Sequence, residues 1–384
     1  MGTDAGAAPG GLTFTAFVDD DQEEWARFVD GCDEAWLYHH PTYLRHWSTF
    51  ANDQSFSIRV DGKMVGVCAL SNTRIGLGGI LEGPGLALAP ISGAHETRVA
   101  ALKHLRAIAA RLNCQALQFR ISPLTPSVRS SNYAQSTLAE MGFGLGETRY
   151  RFTGDTLASV VGYATLIDLD LDMDSILKDF SKGHRANVGR CAKTLSVRTT
   201  TGAAFEPGLF RDFILVLGQT LSRHGERLYP PYVAFLEAMT RSGFMTVLAA
   251  YQGDTCVAAA LIATYKGGAY YFRGGSTSEG LSLGAMTFLQ HRAMAHFKQN
   301  GFDLYNVGVT YPALESSQRG NVGAFKKRFG GRKVDDLSGE LMLDRNRYIL
   351  RILLPKLISS SGLAPAGLRR MAARALNRPA GRGS

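Results

Sequence analysis

The chain of 384 residues is too long for one ordinary hydrophobic core and suits two domains of roughly 150 to 200 residues each. Its 45% of hydrophobic and 20% of charged residues are those of a soluble globular protein. The longest apolar run, residues 257–264, is far shorter than the roughly 20 residues of a membrane helix, which excludes a spanning segment of that kind. We therefore expect a cytoplasmic protein.

The formal net charge of +9 belongs to the C-terminal end of the sequence. Nine of the 42 lysines and arginines, and none of the 33 acidic residues, lie between residues 345 and 384. The preceding residues therefore hold 33 charges of each sign. We call residues 345–384 the basic tail and predict it to be helical. It suits a polyanion such as RNA or an anionic lipid surface, and a solvated face is the alternative.

The N-terminal residues do not indicate secretion, and the cysteines do not indicate disulfides or metal binding. Residues 1–12 are small and acidic rather than basic and apolar, which predicts a disordered leader and no signal peptide. The five cysteines are far apart and form no C-x-x-C pair, so neither a disulfide framework nor a zinc site is predicted. We predict no bound metal.

The first half of the chain reads as an α/β domain, which we assign to residues 13–160. Residues 20–50 have helical spacing, with a second short helix starting at Pro41. A hairpin follows, with strands at 56–60 and 63–70 around an Asp61-Gly62 turn. A helix over 98–112 and a strand over 114–121 complete the predicted pattern.

The second half repeats this order, and we assign residues 161–344 to a second domain. A strand over 269–273 enters a glycine-rich turn at 274–276, and a long helix follows, ending at Asn300-Gly301. A strand over 302–309 comes next. Equal order at similar spacing predicts a duplicated α/β unit, and chance similarity between two α/β domains is the alternative.

Several short motifs in the second half occur in a fixed order. They are Lys182-x-x-Arg185-x-Asn187, Thr220-x-x-Arg223 followed by Arg227 and Tyr232, the strand end Tyr271 to Ser276, and Gly323-x-Phe325-Lys326-x-x-Phe329-Gly330-Gly331. Together they resemble the FemX/FemAB-like aminoacyltransferases and the related BioF2-like acetyltransferase domains, over roughly residues 30–340. This resemblance implies two tandem domains of the N-acetyltransferase (GNAT) type and amide formation between an amino acid and an amine.

The resemblance also implies roles for individual residues. Lys326 is the expected catalytic cation that stabilises the tetrahedral oxyanion, with Phe325 packing beside it. For Lys326 the alternative is a surface lysine, and for Tyr271 an outward aromatic on a sheet. The expected substrate-binding residues are Tyr43, Arg45, Arg227, Tyr232, Tyr271 and Arg273, and the expected tRNA-binding residues are Lys182, Arg185, Lys327 and Arg328.

The loop after the strand at 269–273 indicates which kind of acyl donor the protein uses. A CoA-dependent GNAT domain holds pyrophosphate with an R/Q-x-x-G-x-G/A loop, whereas residues 275–285 lack that pattern and carry Glu279. This favours aminoacyl-tRNA as a co-substrate without a further cofactor, and acyl-CoA acting on an amino sugar or polysaccharide precursor is the alternative. We expect a monomer with an amine-bearing acceptor, such as a peptidoglycan precursor, a peptide or a small metabolite. A membrane-surface role for the basic tail is a third hypothesis.

Overall fold

The computed structural model describes residues 11–75, 78–130, 151–153, 156–310, 320–350 and 354. The chain divides into two compact units. Unit 1 is formed by the described residues up to Val161 and from Leu337 onward, and unit 2 is Gly162–Asp336. The predicted boundary at residue 160 lies beside the first division, whereas the one at 344 lies past the second. The predicted leader falls almost wholly outside the described residues.

Unit 1 contains a sheet with the strand order β1-β3-β4-β5-β6-β14. Neighbouring strands are antiparallel except β5 and β6, which are parallel. Asp61 and Gly62 both have left-handed backbone conformations (φ 50° and 78°), as a two-residue hairpin turn requires, so the predicted hairpin is confirmed. The strands are β1 Leu12–Ala16, β2 Asn52–Asp53, β3 Phe56–Val60, β4 Lys63–Ile75, β5 Gly78–Leu88, β6 Cys114–Arg120 and β7 Arg151–Thr153, with residues 338–342 of β14 (Arg332–Met342) pairing with β6.

Four α-helices of unit 1 lie among the described residues that precede unit 2. They are α1 Gln22–Gly31, α2 Pro41–Trp47, α3 Ala94–Arg111 and α4 Pro126–Ser130. Pro41 occupies the first turn of α2, where its missing N–H leaves no hydrogen bond unmade, as predicted. The apolar face of α3 packs Ala101 and Leu105 against the sheet residues Leu81 and Leu117, and these four side chains are fully buried. This contact forms the core of unit 1.

Unit 2 has the corresponding sheet, with the order β9-β10-β11-β12-β13-β8. Its neighbours are again antiparallel except for one parallel pair, β12 and β13. The strands are β8 Thr156–Asp168, β9 Ser196–Thr200, β10 Met245–Gln252, β11 Thr255–Tyr265, β12 Gly268–Ser276 and β13 Leu304–Thr310. The helices are α5 Met173–Asp179, α6 Lys182–Cys191, α7 Pro207–Arg223, α8 Pro230–Arg241, α9 Ser278–Leu283, α10 Ala285–Gln299 and α11 Gly320–Lys327.

The helix after β12 differs from its prediction. Leu289, Ala293 and Phe297 of α10 are buried, as the spacing of apolar residues indicates. The helix is nevertheless broken at Gly284, whose left-handed conformation (φ 71°) ends α9 before α10 begins. The expected glycine turn is also wrong, because Gly274 and Gly275 continue β12 as far as Ser276.

The two units repeat one order of elements, so the predicted tandem GNAT-like α/β fold is confirmed. In unit 1 the order is β3, β4, β5, α3 and β6, and in unit 2 it is β10, β11, β12, the α9–α10 pair and β13. Each repeat has two antiparallel pairings followed by a helical crossover to a parallel strand.

The described start of the basic tail is part of unit 1. A short helix, α12 Arg345–Tyr348, follows β14, and Tyr348 is buried against Ile80, Ala116 and Met342. Residues 351–353 and 355–384 lie outside the described residues, and with them most of the predicted helical tail. Among the helices of the described part of the chain, none combines the length and apolar character needed to cross a membrane.

Candidate active site in unit 2

The parallel strands of unit 2 pair only at one end. Hydrogen-bonded register runs from Gly268 opposite Leu304 to Tyr270 opposite Asn306 and then stops, although β12 continues to Ser276 and β13 to Thr310. Both strands change register with their outer neighbours at this point, β12 beside Tyr271 and β13 after Asn306. Such bulges bend a strand away from its partner. The two strands are therefore not paired beyond Tyr270 and Asn306, and we call this unpaired stretch the opening between β12 and β13.

The ammonium group of Lys326 lies on the β13 side of this opening. Its Nζ donates to the Val309 carbonyl at 2.9 Å, and the side chain is half-buried. It also passes over Gly308, where an added Cβ would lie only 2.7 Å from Nζ. Gly308 has a φ of 109° and its N–H is held by the Asn306 Oδ1 at 2.7 Å. The bulged strand thus makes room for the lysine that the sequence motif predicts.

The residues after Lys326 explain the rest of the motif. Phe329 is fully buried in the core of unit 2. Gly330 and Gly331 both have left-handed conformations, and an added Cβ would meet Asp179 at 2.7 Å in the first case and the Leu166 carbonyl in the second. The phenylalanine and the two glycines therefore fix the C-terminal end of α11 against the body of unit 2.

His184 of α6 holds the same segment from the other side. Its Nε2 lies 3.2 Å from the Phe325 carbonyl, and because a carbonyl oxygen only accepts, Nε2 carries the proton and donates. The imidazole packs edge-on against Phe329, with ring centroids 4.6 Å apart, and against Phe325 at 5.3 Å. Burial lowers the pKa of His184, opposed by the hydrogen bond to Phe325, so we take the ring as neutral.

Sequence reasoning missed His184, although a local signal was present. His184, Val188 and Cys191 are the buried residues of α6, and they follow the spacing of one helix face. A histidine on the inward face of an otherwise basic, exposed helix indicates a buried hydrogen bond. The partner, the Phe325 carbonyl, is 141 positions away and could not be found from spacing.

Two basic segments that are distant in sequence meet beside Lys326. The Ser181 N–H, at the start of α6, donates to the Arg328 carbonyl at 2.8 Å. This contact brings Lys182 of α6 next to the end of α11, and Lys182, Lys327 and Arg328 all have exposed side chains. The fourth predicted tRNA-binding residue, Arg185, donates to the carbonyls of Lys178 and Phe180 and so caps α5. These cations form what we call the basic patch: Lys182, Arg185, Lys327 and Arg328.

The far end of β12 is fixed by α7. Thr220 accepts a hydrogen bond from the Ser276 N–H at 3.1 Å, and Arg223 donates to the Ser276 carbonyl at 2.6 Å. An added Cβ on Gly275 would collide with the Thr220 hydroxyl and lie 2.9 Å from the Val216 carbonyl. The glycine is needed for this close approach of helix and strand, which is why it lies in the strand rather than in a turn.

Three of the predicted substrate-binding residues lie on or beside β12. Arg273 is exposed and its Nε donates to the Tyr232 hydroxyl at 3.0 Å. Burial raises the pKa of Tyr232, and the Arg273 charge opposes that shift. Tyr271 instead packs against the core of unit 2, and burial raises its pKa as well. Arg227 is exposed on the connection between α7 and α8.

The two predicted residues of unit 1 lie on α2 and have different surroundings. Tyr43 is buried and stacks on Trp47, with ring centroids 5.6 Å apart, while Tyr38 meets it edge-on at 5.1 Å. Arg45 is exposed. The structure therefore places Tyr43 in an aromatic cluster of unit 1 and leaves Arg45 accessible.

Comparison with known proteins agrees with this arrangement. Residues 178–315 match a family model described as an acetyltransferase (GNAT) domain. The crystal structure of FemX is 14% identical, has a TM-score of 0.65, and the match covers 86% of this chain and 98% of FemX. The chain has the FemX-like tandem GNAT fold.

Other proteins of known structure have a similar fold and are similarly distant in sequence. The C-terminal domain (DUF2156) of a putative lysylphosphatidylglycerol synthetase from Agrobacterium fabrum has a TM-score of 0.57 at 14% identity, covering 88% of this chain and 96% of its own. A tandem GNAT protein from the clavulanic acid biosynthesis pathway has a TM-score of 0.50 at 13% identity, covering 86% and 98%. None of the curated proteins compared matches in sequence. The match to the GNAT family model supports acyltransferase activity.

The helix start that a CoA-dependent GNAT protein would offer to pyrophosphate is altered in this tandem GNAT protein. The Thr277 hydroxyl already accepts from the Gly280 N–H at 3.0 Å, and the exposed Glu279 lies in the first turn of α9. At the start of α10, an added Cβ on Gly284 would collide with the Asn187 side chain. Arg190 donates to the neighbouring Leu283 carbonyl at 2.8 Å. Helix α6 therefore covers the junction between α9 and α10.

Proposed function

We propose that unit 2 transfers an aminoacyl group from aminoacyl-tRNA to an amine and forms an amide. The observation that carries this proposal is the position of the basic patch. Its exposed members Lys182, Lys327 and Arg328 lie around the end of the helix that delivers Lys326. Clustered cations of this kind bind a phosphate backbone. A polyanionic donor held there would present its 3′ end beside the opening between β12 and β13.

The chemical step requires little beyond positioning and one cation. The amine nitrogen attacks the ester carbonyl of the donor, forming the C–N bond and a tetrahedral oxyanion. Lys326 stabilises that oxyanion, a contribution of about 3 kcal/mol for one preorganised donor. The C–O bond to the ribose then breaks, and the proton lost by the amine ends on the departing ribose oxygen. Phe325 packs beside the lysine, and His184 holds its main chain.

The surroundings of α9 and α10 support RNA rather than coenzyme A as the donor. Pyrophosphate binding at a helix start depends on free N–H groups and positive potential. Here Thr277 occupies one N–H, Glu279 adds negative charge, and Asn187 covers the start of α10. These features disfavour a diphosphate at this position.

For the acceptor, we propose that Tyr232, Arg273 and Arg227 bind its polar or anionic part. Arg273 and Tyr232 already contact each other at the surface end of β12, and Arg227 is exposed nearby in sequence. Tyr271, beside the bulge of β12, is proposed as a further acceptor contact in unit 2. Substrate binding by Tyr43 and Arg45 of unit 1 is a separate proposal. The described residues do not extend into most of the basic tail, and contact with anionic lipid remains our proposal for it.

The alternative donor is acyl-CoA, with transfer to an amino sugar or another amine. One finding favours it: the family model that matches residues 178–315 is described as an acetyltransferase domain. Lys326 would serve the same oxyanion if the donor were a thioester. The alternative therefore differs in what binds outside the opening and not in the catalytic cation.

A donor exchange experiment tests the proposal. The full-length protein is incubated with a mixture of labelled aminoacyl-tRNAs and a panel of amines, with and without ribonuclease, and in parallel with labelled acetyl-CoA. We expect amide product from the tRNA arm, loss of product after ribonuclease, and no product from acetyl-CoA. Product from acetyl-CoA that resists ribonuclease would establish the alternative donor.

The basic patch provides a second readout. Replacing Lys327 and Arg328 by alanine should weaken tRNA binding and reduce the slope of log affinity against log salt by about 1 to 2. The paired control is Lys63→Ala together with Arg74→Ala, two exposed cations of unit 1, which should leave the salt slope unchanged. An unchanged slope in the Lys327/Arg328 variant would remove these residues from the donor site.

A further inference from the structure

Unit 1 contains a cavity of about 350 Å³ that the acyl-transfer proposal does not use. Three segments line it: the end of β1 with the turn that follows, the start of the β2–β3 segment, and the C-terminal half of α3. Its size is at the lower end for small-molecule sites, which favours a ligand of roughly ten non-hydrogen atoms. All of its lining residues belong to unit 1.

The cavity has mostly aromatic and aliphatic walls. His104 stacks face to face on Phe14, with ring centroids 4.3 Å apart, and meets Phe56 edge-on at 4.7 Å. Phe17 and Ile108 complete the apolar wall. No other described residue is within hydrogen-bonding distance of the His104 ring nitrogens, and burial lowers its pKa, so we take the ring as neutral. The walls therefore offer the faces and edges of uncharged rings.

One carboxylate lines this mostly apolar space. Asp53 is half-buried, and its only side-chain partner in the described part of the chain is the Ser55 hydroxyl, at 2.6 Å. No described lysine, arginine or histidine forms an ion pair with it. Burial raises the pKa of Asp53, and the hydrogen bonds from Ser55 oppose that shift only in part. A partly buried carboxylate in this situation is stabilised by any cation that can enter.

The rim of the cavity determines how such a cation would enter. Arg111 is exposed at the edge and contacts Gln54, with its Nη2 3.4 Å from Oε1. Arg111 repels a positive group at the rim, and Asp53 attracts it inside, so an ammonium group would be stabilised only close to the carboxylate. Ammonium groups are also attracted to aromatic faces, of which the cavity has several.

We propose that this cavity binds a small primary amine with an apolar body, its ammonium group paired with Asp53 and its body packed among Phe14, Phe56 and His104. The pairing supplies Asp53 with an ion-pair partner, which none of the described residues provides. The apolar body removes the aromatic walls from water. This site is independent of the transfer chemistry in unit 2 and would exist whichever donor that unit uses.

The test compares an amine with its neutral counterpart on the full-length protein. Phenethylamine and 2-phenylethanol have the same shape and differ in the ammonium group. We expect saturable calorimetric binding of phenethylamine and at least about tenfold weaker binding of 2-phenylethanol, because a charged hydrogen bond is lost. Equal binding of the two compounds, or no saturable binding of the amine, would overturn the proposal without any variant being made.

A matched pair of variants locates the site. Asp53→Asn keeps an oxygen that accepts from the Ser55 hydroxyl, so the fold should persist, as a thermal unfolding scan will check. It should weaken phenethylamine about tenfold, whereas Asp19→Asn, an exposed aspartate outside the cavity, should have no effect. If the amine bound at the acceptor site of unit 2 instead, its affinity would not change in the Asp53→Asn variant. Undiminished binding to a folded Asp53→Asn protein therefore contradicts the proposal.

Discussion

The two parallel strand pairs of this protein have the same place in the repeat but different surroundings. In unit 1, β5 and β6 pair from Gly79 opposite Cys114 to Gly83 opposite Phe119. The Phe119 ring is fully buried and packs on Gly85, where an added Cβ would lie 2.8 Å from it. In unit 2, pairing of β12 with β13 ends after three positions. The corresponding space there is bordered by Gly308 and the ammonium group of Lys326.

Under our proposal for Lys326, the same strand junction forms part of the core in unit 1 and part of the transfer site in unit 2. An aromatic side chain at the junction of unit 1 removes apolar surface from water and stabilises the fold. In unit 2, bulges accompany the early end of pairing, and Gly308 leaves room for the side chain of Lys326. The topology is shared, and the side chains that occupy the strand junction decide what each unit does.

The largest expected effect is the loss of stability when the Phe119 ring is removed from the strand junction of unit 1. Phe119→Ala should lower the free energy of unfolding by about 3 to 5 kcal/mol, because a buried ring is replaced by a cavity. The turnover of the molecules that remain folded should not change. Chemical denaturation and active-site-normalised rates measure the two quantities, and Val99→Ala, a partly exposed position of α3, is the control. A fall in normalised rate would show that unit 1 shares in the chemistry.

Removing the cation from the strand junction of unit 2 should lower the reaction rate and leave the stability almost unchanged. Lys326→Ala should reduce kcat by about a hundredfold or more, since it removes the preorganised positive charge that stabilises the oxyanion. The half-buried side chain contributes little apolar area, so the unfolding transition should shift only slightly. Lys103→Ala, an exposed lysine on α3 in unit 1, is the matched control. Near-normal turnover of Lys326→Ala would exclude Lys326 from the site.

A smaller effect is expected from His184, which acts through Lys326. His184→Ala should reduce kcat about tenfold with little change in KM, because the loss of one buried hydrogen bond loosens the Phe325–Lys326 segment. His184→Gln should restore part of the rate, since its amide can donate to the Phe325 carbonyl. His224→Ala, at the exposed end of α7, is the control.

A double-mutant cycle separates positioning from a merely structural role of His184. In the Lys326→Ala background, His184→Ala should cost no further rate, because there is no longer a lysine to position. If the two rate losses multiply instead, His184 acts independently of Lys326, and the positioning role is wrong.

The smallest expected effect is the pH dependence of the free energy of unfolding, to which histidines of both units contribute. Burial lowers the pKa of His104 in unit 1 and of His184 and His291 in unit 2 from the usual 6.5. As the pH falls below about 6.5, the unfolded chain binds protons first, so the free energy of unfolding should decrease in that range and be flat above it. Burial raises the pKa of the Asp53 carboxyl above its usual 3.8, so its protonation favours the folded state as the pH falls and opposes the effect of the histidines.

His291 allows this pH dependence to be assigned to unit 2. Both of its ring nitrogens are buried without a hydrogen-bond partner in the described part of the chain. His291→Leu should therefore reduce the slope of unfolding free energy against pH below 6.5 without loss of stability at pH 7. His95→Ala, an exposed histidine of unit 1, should leave the slope unchanged. An unaltered slope in His291→Leu would assign the dependence to other groups.

The sequence by itself determined the local elements and the order in which they repeat. The Asp61-Gly62 hairpin, the helix start at Pro41 and the buried face of α10 follow from turn chemistry, proline geometry and helical spacing, which act over a few residues. Lys326 was predicted from the resemblance of the motif ending in Gly330-Gly331, and the structure explains that motif by two left-handed glycines and the buried Phe329.

Only the tertiary structure decided what lies beside that lysine. Gly275 is a strand residue because α7 approaches it closely, and His184 meets Phe325 across 141 positions of sequence. The two halves of the basic patch join through the Ser181–Arg328 hydrogen bond, and the strands of unit 2 part where those of unit 1 stay paired. Contacts of this kind depend on how distant segments pack, and no local period or propensity encodes them.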